Sequence, residues 1–433
     1  MIKKSFVLIL CISLITCFSI NVSSNIEKKN TILHDSPASY EDIVEMIGQV
    51  NESLVFYYFD KLMEFGARYT GSTNCTLAGE YIYNEFSKMG LDVEYHNWEF
   101  KGFKSRNIVG NLKGVDPKST AIMLFSAHYD CTPGSMGADD DGSGVAAVMA
   151  AAHIMSKYSF NHTVRFIAFS GEEVGLCGSF TYARDSYKNG DNIYAVLNAD
   201  MIGYANSTYG GKIMRFFKVD RSEWITEFCQ TVSEKYSNHF DIRVEKTPNY
   251  RGADHQAFID YGYDAVFIAH YDNYPWANSP EDTPDHINHT YQIKATKFLL
   301  ACIAELATKP IYVQVIITHP KEGRLHIFNL SLLELNFGKI WYKDLRATTY
   351  IFGRANACVK VFSEEDIKYV IFCLDDKFIQ WDRQPPYEWK IEGKHYPPIG
   401  KHKLIVYAYT ISGKIGSDEM DIRIFTFEYQ YKK

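Results

Sequence analysis

Three apolar segments of strand length, each ending in side chains that can bind a metal, constrain this chain more than any other feature. The segments and their terminal residues are 121–127 with His128, 164–170 with Glu172 and Glu173, and 193–199 with Asp200. Helix-forming residues with helical spacing follow the first segment, over 143–157. Because parallel strands present their carboxyl ends at one edge of a sheet, these side chains are predicted to meet there, in an α/β fold.

The loop after the first segment is rich in carboxylates. It contains Asp130 and the run Gly137-Ala-Asp-Asp-Asp-Gly-Ser-Gly144. An imidazole and several carboxylates suit Zn²⁺, which binds His nitrogen and carboxylate oxygen. Of the adjacent Glu172 and Glu173, one can bind a metal while the other accepts a proton from water. An acidic loop alone is more often solvated surface, but three strand-end acids in succession favour a zinc-dependent hydrolase.

The region from about Tyr40 to Thr308 resembles the M28 family of co-catalytic zinc peptidases, which includes aminopeptidases, glutamate carboxypeptidases and related glutaminyl cyclases. Besides the motifs above, the resemblance rests on Gly66-Ala-Arg-Tyr-Thr-Gly-Ser72, a predicted helix over 78–91 and Arg106-Asn-Ile-Val109. It implies the zinc exopeptidase fold, with a mixed, mostly parallel sheet flanked by helices. It also implies two zinc ions about 3.5 to 4 Å apart.

The resemblance implies a role for each strand-end side chain. Asp140 would bridge the two zinc ions, and His128 and Asp200 would complete the ligands of one ion. Glu173 would bind the other ion, and Glu172 would act as the general base. Peptide bonds are the expected substrate.

The last metal ligand of the family departs from the pattern in this chain. The family has a His in a Tyr-His-Thr/Ser-Pro-x-Asp-Thr segment, and the segment here reads Trp276-Ala-Asn-Ser-Pro-Glu-Asp-Thr283. Asn278 therefore stands at the ligand position, and Ala277 replaces a tyrosine that is a candidate oxyanion donor. Because an amide oxygen is a weaker and harder ligand than imidazole, the second zinc is expected to bind less tightly or to be replaced by another divalent metal.

Further residues are predicted to support the site. Asp130 is expected to fix the tautomer of His128 from outside the ligand shell. Asp254 and His255, in Gly252-Ala-Asp-His-Gln-Ala-Phe258, are expected to support the site without binding metal. The candidates that remain open as substitutes for the missing ligand or hydroxyl are His270, His286, His289, Tyr271 and Tyr274, although each is more often an ordinary loop residue.

Two classes of function remain open from the sequence. The first is a metal-dependent exopeptidase, with aminopeptidase preferred because the domain is short and uninterrupted. The second is a degenerate peptidase fold that binds peptides or a surface partner without turnover, which the changes at Ala277 and Asn278 motivate. The crowded carboxylates favour two metal ions in either class, since a single divalent cation would leave the cluster near minus two.

The start of the chain is typical of export. Lys3 and Lys4 precede an apolar run over 6–20, which is short for a membrane span and predicts a signal peptide over 1–23, with lipid attachment at Cys17 as a weaker alternative. Secretion or cell-surface location is therefore expected. Seven N-x-S/T sequons add lightly to this expectation, namely Asn21, Asn51, Asn74, Asn161, Asn206, Asn288 and Asn329.

Charge and cysteine content exclude other classes. A net charge of −7 argues against a nucleic-acid partner. Seven cysteines remain after the predicted leader, an odd number without C-x-x-C spacing, so buried free thiols are expected, including Cys131 and Cys177, which could also approach each other.

The pattern changes after residue 309, which predicts domains at 24–309 and 310–433. The second contains short alternating strands, over 311–317, 359–362, 367–374, 403–409 and 421–429. Such strands, separated by turns, predict an immunoglobulin-like β-sandwich. Its tryptophans Trp341, Trp381 and Trp389 are expected to fill the core, and a role in cell-surface attachment or substrate capture is a hypothesis.

Overall fold

The computed structural model describes residues 36–311, 313–327, 329–334, 349–363, 365–391 and 399–425. The predicted signal peptide, Cys17, Asn21 and Trp341 lie outside these ranges, as do residues 426–429 of the last predicted strand. None of the helices formed by the described residues combines the length and the apolarity that crossing a membrane requires.

The first part of the chain alternates helices and strands. The α-helices are α1 Tyr40–Gln49, α2 Glu52–Met63, α3 Thr73–Lys88, α4 Gly144–Met155, α5 Cys177–Asn189, α6 Glu223–Lys235, α7 Ser237–Phe240, α8 His255–Asp260 and α9 His289–Thr308. The strands are β1 Asp92–Phe100, β2 Phe103–Leu112, β3 Ile122–His128, β4 Thr163–Phe169, β5 Ile193–Ala199, β6 Ile213–Lys218, β7 Arg243–Pro248 and β8 Ala265–His270.

These eight strands form one mixed sheet in the order β1-β2-β4-β3-β5-β8-β6-β7. The four central strands β4, β3, β5 and β8 run parallel, and antiparallel pairs join them to the outer strands on both sides. The predicted α/β fold, with a mixed sheet flanked by helices, is confirmed.

The centre of this sheet is buried on both faces. Every residue of β3 is buried, and eleven of the twelve residues of α4 are buried as well. Continuous apolar strands of this kind occur where helices cover both faces of a sheet. Because β3, β4 and β5 are parallel neighbours, their carboxyl ends bring His128, Glu172 and Asp200 to one edge.

The second part of the chain is all-β. Its strands are β9 Val313–His319, β10 Arg324–Ile327, β11 Leu330–Glu334, β12 Thr349–Phe352, β13 Ala355–Ser363, β14 Ile367–Leu374, β15 Lys377–Asp382, β16 Tyr387–Ile391, β17 Gly400–Thr410 and β18 Ile415–Phe425. They form a three-stranded sheet, β16-β13-β9, and a seven-stranded sheet, β11-β10-β12-β18-β17-β14-β15. One hydrophobic cluster contains side chains of both sheets, as in a sandwich.

The tryptophans of this part differ from one another. Trp389 belongs to the core and is 2% exposed, as expected. Trp381 lies on the edge strand β15 and is 53% exposed, so the expectation that it fills the core is wrong. The all-β character is confirmed, whereas the immunoglobulin-like type stays a prediction, and β18, β12 and β10 are joined by parallel pairs.

The predicted boundary at 309 falls between α9 and β9, and an ion pair joins the two parts across it. Arg221, before α6, lies 2.7 Å from Asp264 and 2.9 Å from Glu322 of the β part. The Arg221 and Glu322 side chains are only 22% and 23% exposed. Burial raises the pKa of Glu322 to about 7, although Arg221 opposes this change.

We predict that Glu322 makes the folded chain less stable as the pH rises from about 4.5 to about 7. Unfolded glutamate titrates near 4.3, so in this window the folded chain binds more protons than the unfolded chain. In denaturant titrations across this window, the free energy of unfolding of the wild type should fall relative to that of Glu322→Gln, by on the order of 2 kcal/mol. Glu281→Gln, at an exposed position, controls for the loss of one charge. Parallel profiles for wild type and Glu322→Gln would contradict the prediction.

Candidate metal centre

Three predicted ligands converge at the carboxyl edge of the sheet. The Nε2 atom of His128 lies 3.2 Å from an oxygen of Asp140 and 3.8 Å from an oxygen of Asp200. The three side chains are buried, and one donor atom of each lies within 4.8 Å of the other two. Within the described residues, His128 Nε2 has no hydrogen-bond partner in this position. A buried imidazole nitrogen without a partner, beside two carboxylate oxygens, fits a zinc ion.

The loop that carries Asp140 is held by its neighbour Asp141. The Asp141 carboxylate accepts hydrogen bonds from the backbone amides of His128 (3.1 Å), Gly144 (3.0 Å) and Met201 (3.1 Å). It therefore connects the end of β3, the start of α4 and the end of β5. Glycine is required at position 144, because a Cβ atom there would lie 2.4 Å from the Asp141 carboxylate.

A buried arginine holds the segment between His128 and Asp140. The Arg68 guanidinium donates to the carbonyls of Tyr129 (2.7 Å), Met136 (2.7 Å) and Gly137 (3.0 Å), and its side chain is fully buried. These contacts explain the Gly66-Ala-Arg-Tyr-Thr-Gly-Ser72 motif structurally, since Arg68 fixes the loop between two ligands.

Asp130 connects the first and second ligand loops. Its carboxylate accepts the Thr70 hydroxyl at 2.6 Å and the backbone amides of Glu172 and Glu173 at 3.3 and 3.4 Å. The Nδ1 atom of His128 lies closer to the carbonyl of Asp130 (3.1 Å) than to its carboxylate (3.6 Å). The carbonyl is thus the nearer group to orient His128, while the carboxylate positions the two glutamates.

Burial has a strong effect on the acids of the site. It raises the pKa of Glu172 well above its ordinary value and that of Glu173 to about 8, and neighbouring carboxylates add to both changes. One oxygen of Glu173 is buried without a hydrogen-bond partner. Acids that burial and mutual repulsion would otherwise protonate are stabilised as carboxylates by a divalent cation.

Asp254 and His255 lie at the start of α8. Burial raises the pKa of Asp254 to about 7, and His128 opposes this change, as expected for a carboxylate near the site. Among the described residues, no hydrogen bond of normal geometry reaches the Asp254 oxygens. His255 Nε2 lies 2.8 Å from the Asn249 side chain, and burial lowers the pKa of His255 to about 3. His255 is thus neutral, and its supporting role stays a prediction.

Asn278 is exposed, unlike the three buried ligands, and has a left-handed backbone conformation with φ of 58°. The candidate substitutes make other contacts. His270 contacts Asp139 at 2.9 Å, His286 stacks on Trp276 with ring centroids 3.6 Å apart, His289 pairs with Glu52 at 2.9 Å, and the Tyr274 hydroxyl donates to Asp282 at 2.6 Å. The ring of Tyr271 packs beside that of Tyr209.

Several residues that hold the site were not predicted from the sequence, notably Arg68, Thr70, Asp139, Asp141 and Asp282. Arg68 and Asp282 lie within motifs that were recognised, but their contacts join positions 61 to 143 residues apart. Periodicity carries no information on such contacts. The cysteines behave as expected, since Cys131 and Cys177 are buried free thiols.

Known proteins resemble this chain over the region that contains the site. Residues 107–303 match the model of Peptidase family M28. Aminopeptidase YwaD of Bacillus subtilis is 30% identical over 225 residues, which are 48% of this chain and 46% of YwaD. A probable leucine aminopeptidase of Arthroderma benhamiae is 25% identical over 291 residues, 61% of this chain and 74% of that protein. The chain thus spans about half of the length of YwaD.

Solved structures show the same fold. The LapA aminopeptidase of Legionella pneumophila has a TM-score of 0.57 at 21% identity, over 63% of this chain and 76% of LapA. A glutaminyl cyclase of Bacteroides thetaiotaomicron has a TM-score of 0.51 at 21% identity, over 59% of this chain and 98% of the cyclase. The α/β part of this chain has the fold of these structures, and residues 107–303 within it match the Peptidase family M28 model.

We predict that zinc stabilises the folded chain through His128. A ligand present at about 100 times its dissociation constant adds about 2.7 kcal/mol to the free energy of unfolding, which raises the melting temperature by several degrees. His128→Gln should abolish this rise, whereas His239→Gln, which changes an exposed histidine, should preserve it. Thermal melts with added zinc or with a chelator measure the effect, and an equal rise in both variants would show that zinc binds elsewhere.

Proposed function

We propose that this chain is a secreted, metal-dependent aminopeptidase. The observation that carries the proposal is the convergence of His128, Asp140 and Asp200 beside Glu172, at the edge where parallel strands end. Relatives over this region are named aminopeptidases. The preference for amino termini over carboxyl termini rests on those names.

A bound zinc ion would supply a Lewis acid that lowers the pKa of water and polarises a carbonyl group. His128, Asp140 and Asp200 would hold it. Glu172 accepts the proton of the attacking water and passes it to the leaving amine. Burial favours this role because it raises the pKa of Glu172, and a carboxylate of higher pKa is a stronger base.

Asp140 and Glu173 would hold a second metal ion, and they would bind it more weakly than the first ion is bound. The unpartnered oxygen of Glu173 supports a second ion. The exposed Asn278 supports weaker binding, since its amide replaces an imidazole at the family's ligand position. Weak occupancy also motivates the alternative function, a slow or inactive peptidase fold that binds peptides.

Secretion rests on the N-terminal sequence, and a role of the C-terminal sheets in surface attachment rests on their all-β architecture. Analysis of the culture medium and of the cell surface for the chain with and without residues 311–433 checks both proposals. Retention of either form inside the cell would contradict secretion.

We predict that Glu172→Gln lowers kcat by at least about a hundredfold while zinc binding stays near the wild-type value. Glutamine keeps the shape of the side chain but cannot accept a proton, and general-base catalysis contributes about 10²–10⁴-fold. Hydrolysis of aminoacyl chromogenic substrates, together with zinc content, measures this. Glu281→Gln is the matched control at an exposed position. A Glu172→Gln chain with wild-type turnover would exclude the mechanism, and a wild-type chain without turnover under any divalent metal would favour the binding function.

We predict that Asn278→His strengthens the weaker metal site. An imidazole at this position restores the nitrogen ligand of the family segment, so the number of zinc ions retained at low free zinc should rise towards two, and kcat should rise with it. Asn273→His, at another exposed asparagine nearby, is the control. Zinc content after dialysis against buffered zinc decides the outcome, and an unchanged content would contradict the role of position 278.

A further inference from the structure

The segment that carries Asn278 reaches the metal centre through Asp282. This carboxylate is fully buried, and its two oxygens accept the backbone amides of Asp139 (2.9 Å) and Asp140 (3.2 Å). One carboxylate therefore holds two successive amides of the loop from which the Asp140 side chain extends. Within this loop, Asp140 and Asp141 have non-helical backbone angles. Helical hydrogen bonds therefore do not fix the direction of the loop, which depends on contacts such as those with Asp282.

Asp282 is itself fixed by a tyrosine. The hydroxyl of Tyr274 donates to the Asp282 oxygen that also accepts the Asp139 amide, at 2.6 Å. The Asp139 side chain extends the connection, since it accepts the amide of Gly203 at 2.7 Å and contacts His270 at 2.9 Å. These bonds link the segment 270–282 to the loops that carry Asp140 and Asp200.

We propose that Asp282 is a positioning residue, which orients Asp140 for metal binding through the backbone and does not touch the metal or the substrate. The proposal rests on the proposed function for its catalytic consequence, but its primary readout is metal affinity. A carboxylate can accept two amides at once, whereas a carboxamide offers one acceptor and places N–H groups against the other amide. Asp282→Asn therefore leaves one loop amide without an acceptor and releases Asp140 from its orientation.

The test compares Asp282→Asn with Asp285→Asn, an exposed aspartate three residues further along the chain. Zinc affinity of Asp282→Asn should fall about 10- to 100-fold, as for other residues that support metal ligands, and the visible absorption of the cobalt(II)-substituted protein should change. Asp285→Asn should match the wild type in both. In hydrolysis, Asp282→Asn should lower kcat with little change in KM. Zinc affinity and a cobalt spectrum equal to the wild type, in a folded Asp282→Asn chain, would overturn the proposal.

Tyr274→Phe is the second variant, and it decides the matter if Asp282→Asn does not fold. It removes one donor to Asp282 and leaves the carboxylate in place, so zinc affinity should fall a few-fold. The cobalt spectrum should change in the same direction as in Asp282→Asn. Zinc affinity and a cobalt spectrum equal to the wild type would overturn the proposal. A wild-type chain that binds zinc through an Asp282-dependent site but hydrolyses no peptide would remove the proposed function alone, and the positioning role would stand.

Discussion

The burial of many carboxylates in one cluster is the constraint on which the rest of the site depends. Burial raises the pKa of Asp140, Glu172, Glu173 and Asp254, and the charges of neighbouring carboxylates, Asp200 among them, raise it further. Buried charges of one sign are expensive unless they are paired or bound to a metal. Protons on several of these acids, or divalent cations among them, would each lower this cost.

The histidine and the acids of this site have two different roles. His128, Asp140 and Asp200 place donor atoms toward one point, whereas Asp130, Asp141 and Asp282 use their carboxylates to accept backbone amides. Hydrogen bonds to charged acceptors are stronger than neutral ones, so each supporting carboxylate fixes a loop that regular secondary structure does not. The site is consequently built from loops that carboxylate-to-amide hydrogen bonds hold.

The sequence predicted those parts of the molecule that local pattern determines. The strand predicted over 193–199 has these bounds in the structure, the strand over 367–374 does as well, and the three converging ligands came from strand ends and a family resemblance. Arg68, Asp141 and Asp282 were missed because each acts through contacts to backbone groups distant in sequence. Trp381 was misjudged because alternation in a strand does not reveal whether the strand lies at a sheet edge.

The segment around position 278 has two properties, which can be considered separately in this structure. One is a ligand position, which Asn278 occupies here with an exposed side chain. The other is the contact from Asp282 to the loop of Asp140, and this contact is present. Since Asp140 takes its orientation from the second property, the geometry of His128, Asp140 and Asp200 does not depend on an imidazole at position 278. In the proposed two-metal site, any weakening that Asn278 causes would therefore be confined to the second ion, because the hydrogen bonds from Asp282 to the loop of Asp140 do not involve Asn278.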